Sequence, residues 1–151
     1  MWGCFPPPVH ASHLALGYST KVYFNACCKP SPLFDEQKLL SHLPISIGPG
    51  HLAETMRAVL QLLLDLCQDP LAALERLPNG SGPPVVAHTA DGGITSHGFP
   101  PPTKLSDYWS QLYKYASLLQ CCENFLSATL PSVPCLLCHP FGKCTSTVYI
   151  H

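Results

Sequence analysis

Residues 51–68 constrain the fold more than any other segment, because they form an almost wholly apolar stretch with regularly spaced polar positions. Its polar side chains, apart from Thr55 and the first residue, are Glu54, Arg57, Gln61, Asp65 and Gln68. On a helix these positions form one narrow stripe, so the other sides must be covered by protein. The pattern therefore predicts a central helix buried in the domain core, which we favour over an exposed partner-binding groove.

Shorter elements are predicted on both sides of this helix. They are a strand at 21–25, a helix at 35–40, a helix that begins after the N-cap Asp69, a hairpin of 85–88 and 94–97, and a final helix that is capped by Ser106 and reaches about Cys122. A flexible polar loop is expected at 78–84. The order indicates an α+β domain, with a small mixed or antiparallel sheet, formed by the N-terminal strand plus the hairpin, packed against the long Leu-rich central helix and the C-terminal helix.

The chain divides into three parts by composition. Residues 1–18 are expected to be a disordered Pro-rich leader, 19–126 a folded domain, and 127–151 a Cys/Pro-rich tail that is either metal-binding or disordered. The longest apolar run is shorter than the roughly 20 residues of a membrane span, so we predict no membrane contact. Nine cysteines without a secretory signal indicate a reducing compartment, the cytosol or the nucleus.

Charge is sparse along the whole chain. Charged residues make up 11% of it, with eight Lys and Arg against nine Asp and Glu, and no two cations are adjacent. Such a chain either uses part of its surface as an interface or belongs to a larger protein. The near-equal numbers of cations and carboxylates also argue against strong non-specific binding to nucleic acid, which usually needs a basic face.

Several short motifs occur together in a fixed order. They are 22–25 (VYFN), Leu43-Pro44 followed by 48–50 (GPG), the helix pair ending at 71–77, and 119–126 (LQCCENFL). In this order they resemble the SLED domain of Scm-like polycomb-group proteins over about residues 19–126, and they look most like the branch with four MBT repeats. The resemblance implies a nuclear, non-catalytic module of a transcriptional repressor, with chromatin, duplex DNA and repressor-complex proteins as its partners.

Four cations are candidate phosphate contacts under that resemblance, namely Lys21, Lys29, Lys104 and Lys114. They converge only if the first strand and the last helix share an edge. Tyr108, Tyr113 and Tyr115 could stack on bases beside the last two lysines, while Trp109 falls on the inward stripe of the final helix. Packing within the helix is the favoured role for these aromatic residues.

The tail contains a Cys-x-x-Cys step, which suits tetrahedral zinc because two thiolates on one turn fill two corners. The candidate ligands are Cys135, Cys138, His139 and Cys144. His151, Cys121 and Cys122 are alternative sources of the remaining ligands. The other interpretation is a disordered tail with free thiols, and no other cofactor is expected.

His88 and His97 flank the hairpin turn and are a second possible metal or phosphate site. They face each other only if Gly92-Gly93 is the two-residue loop. If Asp91-Gly92 is the loop, the register shifts and the pairing is lost. Two separate surface histidines are the favoured interpretation.

Motifs of known catalytic sites are missing from the sequence. It contains no Gly-x-Ser-x-Gly elbow, P-loop, Gly-x-Gly-x-x-Gly or His-Glu-x-x-His. We therefore expect a binding module rather than an enzyme. The alternatives are a protein-interaction module without DNA binding, or a truncated fragment with a zinc-stapled tail.

Overall fold

The computed structural model of the protein describes residues 18, 19, 21–131 and 135–139, so the predicted leader at 1–18 lies almost entirely outside the described residues. The helices are α1 (Glu36–His42), α2 (Leu52–Asp65), α3 (Pro70–Leu74) and α4 (Leu105–Leu118). The strands are β1 (Tyr18–Ser19), β2 (Val22–Phe24), β3 (Ser46–Ile47), β4 (Gly50–His51), β5 (Val85–His88), β6 (Ile94–His97) and β7 (Leu126–Ser127). The α+β class predicted from the sequence is confirmed.

Helix α2 is the centre of the domain, as its thin polar stripe predicts. Its fully buried residues are Met56, Val59, Leu60, Leu63 and Leu64. It contacts α3, α4, β1, β3, β4 and β5. The helix is shorter than predicted at both ends, because His51 is the N-cap and Leu66 the C-cap.

The strands form three small antiparallel ladders, ordered β1–β4, β3–β2–β7 and β5–β6. The N-terminal strand and the hairpin, which we expected in one sheet, therefore lie in separate ladders. The reason is that both edges of β2 are already occupied, since Val22 pairs with Ile47 and Phe24 pairs with Leu126. The hairpin instead packs on α2 and α3.

The polar stripe of α2 is used to hold the hairpin in place. Gln61 Oε1 accepts a hydrogen bond from the backbone N–H of Val86 at 2.9 Å, and Gln61 Nε2 donates one to the Val86 carbonyl at 3.0 Å. The side-chain amide thus takes the place of a neighbouring strand along β5. This contact satisfies half-buried backbone groups that would otherwise lose their partners.

Helix α4 buries a wider face than the inward stripe predicted from the sequence. Leu112, Ala116 and Tyr108 are buried, and Trp109, which falls on the predicted stripe, is half-buried and packs against the core. The Trp109 ring stands edge-on against Tyr108, with ring centroids 5.7 Å apart. The helix also begins one residue before Ser106, with Lys104 as its N-cap.

Candidate functional site

Four cysteines from distant parts of the chain meet at one end of the domain. The Sγ atoms of Cys28, Cys122, Cys135 and Cys138 all lie within 4.8 Å of one another. All four are free thiols, two of them buried and two half-buried. We call this group the cysteine cluster.

A turn directly after β2 positions Cys28. Asn25 forms the turn, because its side-chain Oδ1 accepts from the backbone N–H of Cys27 at 3.0 Å and its carbonyl accepts from Cys28 at 3.1 Å. Asn25 is itself fixed by a backbone hydrogen bond to Phe125. This turn directs Cys28 into the cluster.

The end of α4 positions Cys122. Gln120 has a φ of 62°, Cys121 N–H bonds to Ala116 O, and Gln120 N–H bonds to Ser117 O. This is the hydrogen-bond pattern of a Schellman motif, which reverses the chain direction after a helix. The reversal sends Cys122 toward β2 instead of along the helix axis.

A tight turn supplies the other two cysteines. His139 N–H donates to the Cys135 carbonyl at 2.8 Å, so Cys135 and Cys138 lie on adjacent corners of one turn. His139 is buried, and its Nε2 is hydrogen-bonded to the carbonyl of Cys27. The segment 135–139 is therefore packed onto the turn that carries Cys28.

Hydrogen-bond donors surround the sulfur atoms. The backbone N–H of Lys29 donates to Cys138 Sγ at 3.2 Å, and Asn124 Nδ2 donates to Cys135 Sγ at 3.4 Å. The backbone N–H groups of Asn124 and Cys138 are directed at Sγ of Cys122 and Cys135. Donors of this kind stabilise thiolates rather than neutral thiols.

The thiol pKa values in the cluster are pushed apart. Burial raises the pKa of Cys28 far above its usual range and that of Cys122 to about 11. Burial also opposes ionisation of Cys135, but the hydrogen bonds from Asn124 and from the backbone of Cys138 outweigh it and lower its pKa to about 6. Cys135 is therefore the thiol of the cluster whose ionisation its surroundings favour, while burial disfavours ionisation of Cys28 and Cys122.

The cluster shares only part of its residues with the ligand set expected in the tail. Cys135 and Cys138 are present, joined by Cys122, which the sequence left as an alternative, and by Cys28, which sequence reasoning missed. His139 directs its ring nitrogen at a backbone carbonyl, and Cys144 lies outside the described residues. The turn signal at Asn25 was the available clue to Cys28, but nothing local connects it to the tail.

The four candidate lysines are all exposed: Lys21, Lys29, Lys104 and Lys114. Among the described residues, none of their ammonium groups is paired with a carboxylate, whereas Arg57 pairs with Glu54 and Lys38 donates to the Cys67 carbonyl at 2.9 Å. The ammonium groups of the four candidate lysines therefore make no ion pair within the described part of the chain.

The lysines do not form one compact patch. Lys104 caps the start of α4, while Lys29 lies beside the cysteine cluster at the other end of that helix. A helix of 14 residues is about 21 Å long, so these two charges are separated by roughly that distance. Strand β1 does contact α4, which brings the region just before Lys21 to the same helix.

Two other predicted contacts are changed by the structure. Tyr108 and Tyr115 are buried, so of the three candidate tyrosines only Tyr113, which is 45% exposed, can reach a base. The hairpin register pairs Val85 with His97 and His88 with Ile94. Neither two-residue loop is present, because residues 89–93 form the connection, and the two histidines do not face each other.

The described residues form a small α+β domain with a buried central helix and the cysteine cluster at one end. A family model for the SLED domain matches residues 19–129. The chain therefore belongs to the SLED domain family, and the resemblance to this domain noted from the sequence is confirmed. The SLED domain is found in polycomb-type proteins, which points to a chromatin-associated module. A search of curated proteins returned no significant match. Among the described residues, no helix is long and apolar enough to span a membrane.

Proposed function

We propose that the protein is a non-catalytic module of a polycomb-type transcriptional repressor that acts in the nucleus and contacts duplex DNA. The observation that carries this proposal is the SLED match, which covers nearly all of the described fold. The resemblance to the branch with four MBT repeats supports a repressor with further chromatin-reading domains. The lack of catalytic motifs in the sequence supports a role in binding rather than in chemistry.

Exposed lysines are the groups best suited to phosphate contacts. Lys104 and Lys114 lie at the start of α4 and within it, Lys29 lies near its far end, and Lys21 follows β1, which contacts this helix. Lysines spaced in this way suit contacts with several phosphates along part of a turn of the DNA duplex, rather than with a single phosphate. With nine carboxylates in the chain, we expect this binding to be weak and strongly dependent on salt.

Fluorescence anisotropy with a labelled duplex, titrated at several salt concentrations, tests the DNA contact. Replacing any one contacting lysine by Gln is expected to reduce the slope of log K against log salt by about 1, because one counterion fewer is released. Arg57→Gln is the control, since it removes the same charge from a side chain already paired with Glu54. Absence of binding at low salt, or an equal effect of the control, would contradict the proposal.

A second candidate function, binding of a repressor-complex protein without DNA, is favoured by one surface. Tyr113, Leu130 and Leu136 line a groove of about 460 Å³ beside the cysteine cluster. Leu130 is 61% exposed and Leu136 is 65% exposed. Clustered apolar side chains at a groove are more informative than scattered ones.

Leu136→Asp tests this second function, because it places a charge in the groove without touching a buried group. If a protein docks there, we expect the variant to lose at least about tenfold in affinity for chromatin-complex proteins. Ile94→Asp is the matched control, since Ile94 is also 65% exposed but lies on the hairpin. If both variants co-purify equally well with chromatin-complex proteins, the groove is excluded as their binding site.

A further inference from the structure

We propose that the cysteine cluster, formed by Cys28, Cys122, Cys135 and Cys138, binds one structural zinc ion. The ion would join the turn after β2, the end of α4 and the segment 135–139. This inference is independent of DNA binding.

The sulfur positions match the size of a tetrahedral zinc site. With Zn–S bonds of about 2.3 Å, the sulfur atoms of a regular tetrahedron lie about 3.8 Å apart. Cys122 Sγ and Cys135 Sγ are 3.7 Å apart, and every other pair lies within 4.8 Å. A disulfide would need about 2.05 Å, so these sulfurs are arranged around a common centre rather than bonded to each other.

The donor set selects the metal. Four sulfur ligands in a tetrahedral arrangement favour zinc over magnesium or calcium, which take oxygen ligands. All four corners are supplied by the chain, which is the arrangement of a structural site rather than a catalytic one with an open position. The burial of Cys28 and Cys135 also keeps solvent from half of the ligands.

The groups around the ligands are those of a completed site. Lys29 N–H and Asn124 Nδ2 donate to two of the sulfurs, at 3.2 and 3.4 Å. Such outer hydrogen bonds orient the ligands of a metal and disperse their negative charge.

The ion would add a feature that the family match does not include. Cys28 and Cys122 lie within the matched residues 19–129, whereas Cys135 and Cys138 lie beyond them. Zinc would thus fasten a C-terminal segment to the domain. Because the site is assembled only in the folded chain, its binding free energy would stabilise the fold.

Two adjacent cysteines provide a matched pair for the test. Cys122 is in the cluster and Cys121 is not. In the 151-residue chain purified under reducing conditions, elemental analysis is expected to find about one zinc per chain in the wild type, in Cys121→Ser and in His139→Gln. Cys122→Ser and Cys28→Ser are expected to lose most of it. Equal zinc in Cys121→Ser and Cys122→Ser, or iron in place of zinc, would overturn the proposal.

A second measurement uses only wild-type protein, in case the Cys→Ser variants do not fold. Replacement of the bound ion by Co²⁺ is expected to give the intense visible absorption of tetrahedral cobalt with thiolate ligands. Removal of the metal by a chelator is expected to lower the midpoint of thermal unfolding by about 10 °C or more. A weak octahedral cobalt spectrum, or a midpoint that the chelator leaves unchanged, would also overturn the proposal.

Discussion

Leu63→Ala is expected to lower the free energy of unfolding by about 2–5 kcal/mol, because it leaves a cavity in the centre of the core. Leu63 is fully buried on α2, the helix that contacts all three ladders and two other helices. Helix α2 packs against several elements at once, so the residues around the cavity cannot move together to fill it. Urea denaturation followed by circular dichroism measures the change.

Leu62→Ala is the matched control for this substitution. Leu62 is adjacent on the same helix and half-buried, so the change in helix propensity is the same while less apolar surface is lost. We expect its effect to be less than half as large. Equal losses at the two positions would mean that α2 is not the central helix of the domain in solution.

The burial of α2 could be predicted because it depends on a pattern within one segment. A stripe that includes Gln61 and Asp65 determines which side faces water, whatever the rest of the chain does. The same local logic predicts the caps, since Asp69 accepts from Ala72 N–H and Pro70 is the first residue of α3. Asp35 is a cap as well, although we expected it within the first turn of α1.

Which of two adjacent aromatic residues of α4 is fully buried could not be predicted in the same way. Both Tyr108 and Trp109 are large and apolar, and a rotation of one residue exchanges them. Only the packing against β1 and α2 decides between them. The consequence for function is direct, because it removes Tyr108 from the set of possible base contacts and leaves Tyr113.

The hairpin register depended on a detail of the turn. Asp91 accepts hydrogen bonds from the Thr89 hydroxyl and from Gly93 N–H, which lower the pKa of its carboxyl group. Thr89 N–H also bonds to Gly93 O at 2.9 Å, which closes a longer loop than either two-residue alternative. The dipeptides Asp91-Gly92 and Gly92-Gly93 predicted the position of the turn correctly but not its length.

Only part of the cysteine cluster could be predicted from the sequence. The Cys-x-x-Cys step is local and could be recognised, whereas Cys28 and Cys122 come to it only through tertiary structure. The ladder that pairs β2 with β7 brings the chain after Phe24 close to the chain before Leu126. Without that pairing, no spacing rule selects Cys122 over Cys121.

The loop at 78–84, which we expected to be flexible, is held tightly against residues 97–100. Gly82 N–H donates to Phe99 O at 2.6 Å, and His97 Nε2 is hydrogen-bonded to Pro78 O at 3.1 Å. A Cβ added at Gly80 would lie 2.3 Å from Pro100 N. Backbone therefore packs on backbone here, and glycine is needed for the close approach.

Gly80→Ala is therefore expected to destabilise the protein by about 1–3 kcal/mol, because the loop must move away from the irregular segment 98–100 that follows β6. Gly93→Ala is the matched control, where the nearest atoms to a new Cβ are the side-chain oxygens of Thr89 and Asp91, at 2.9 and 3.4 Å. These side-chain ends can rotate, so we expect a change within about 0.5 kcal/mol. Urea denaturation of the two variants measures the difference, and an unchanged Gly80→Ala variant would show that the loop is as flexible as its sequence indicates.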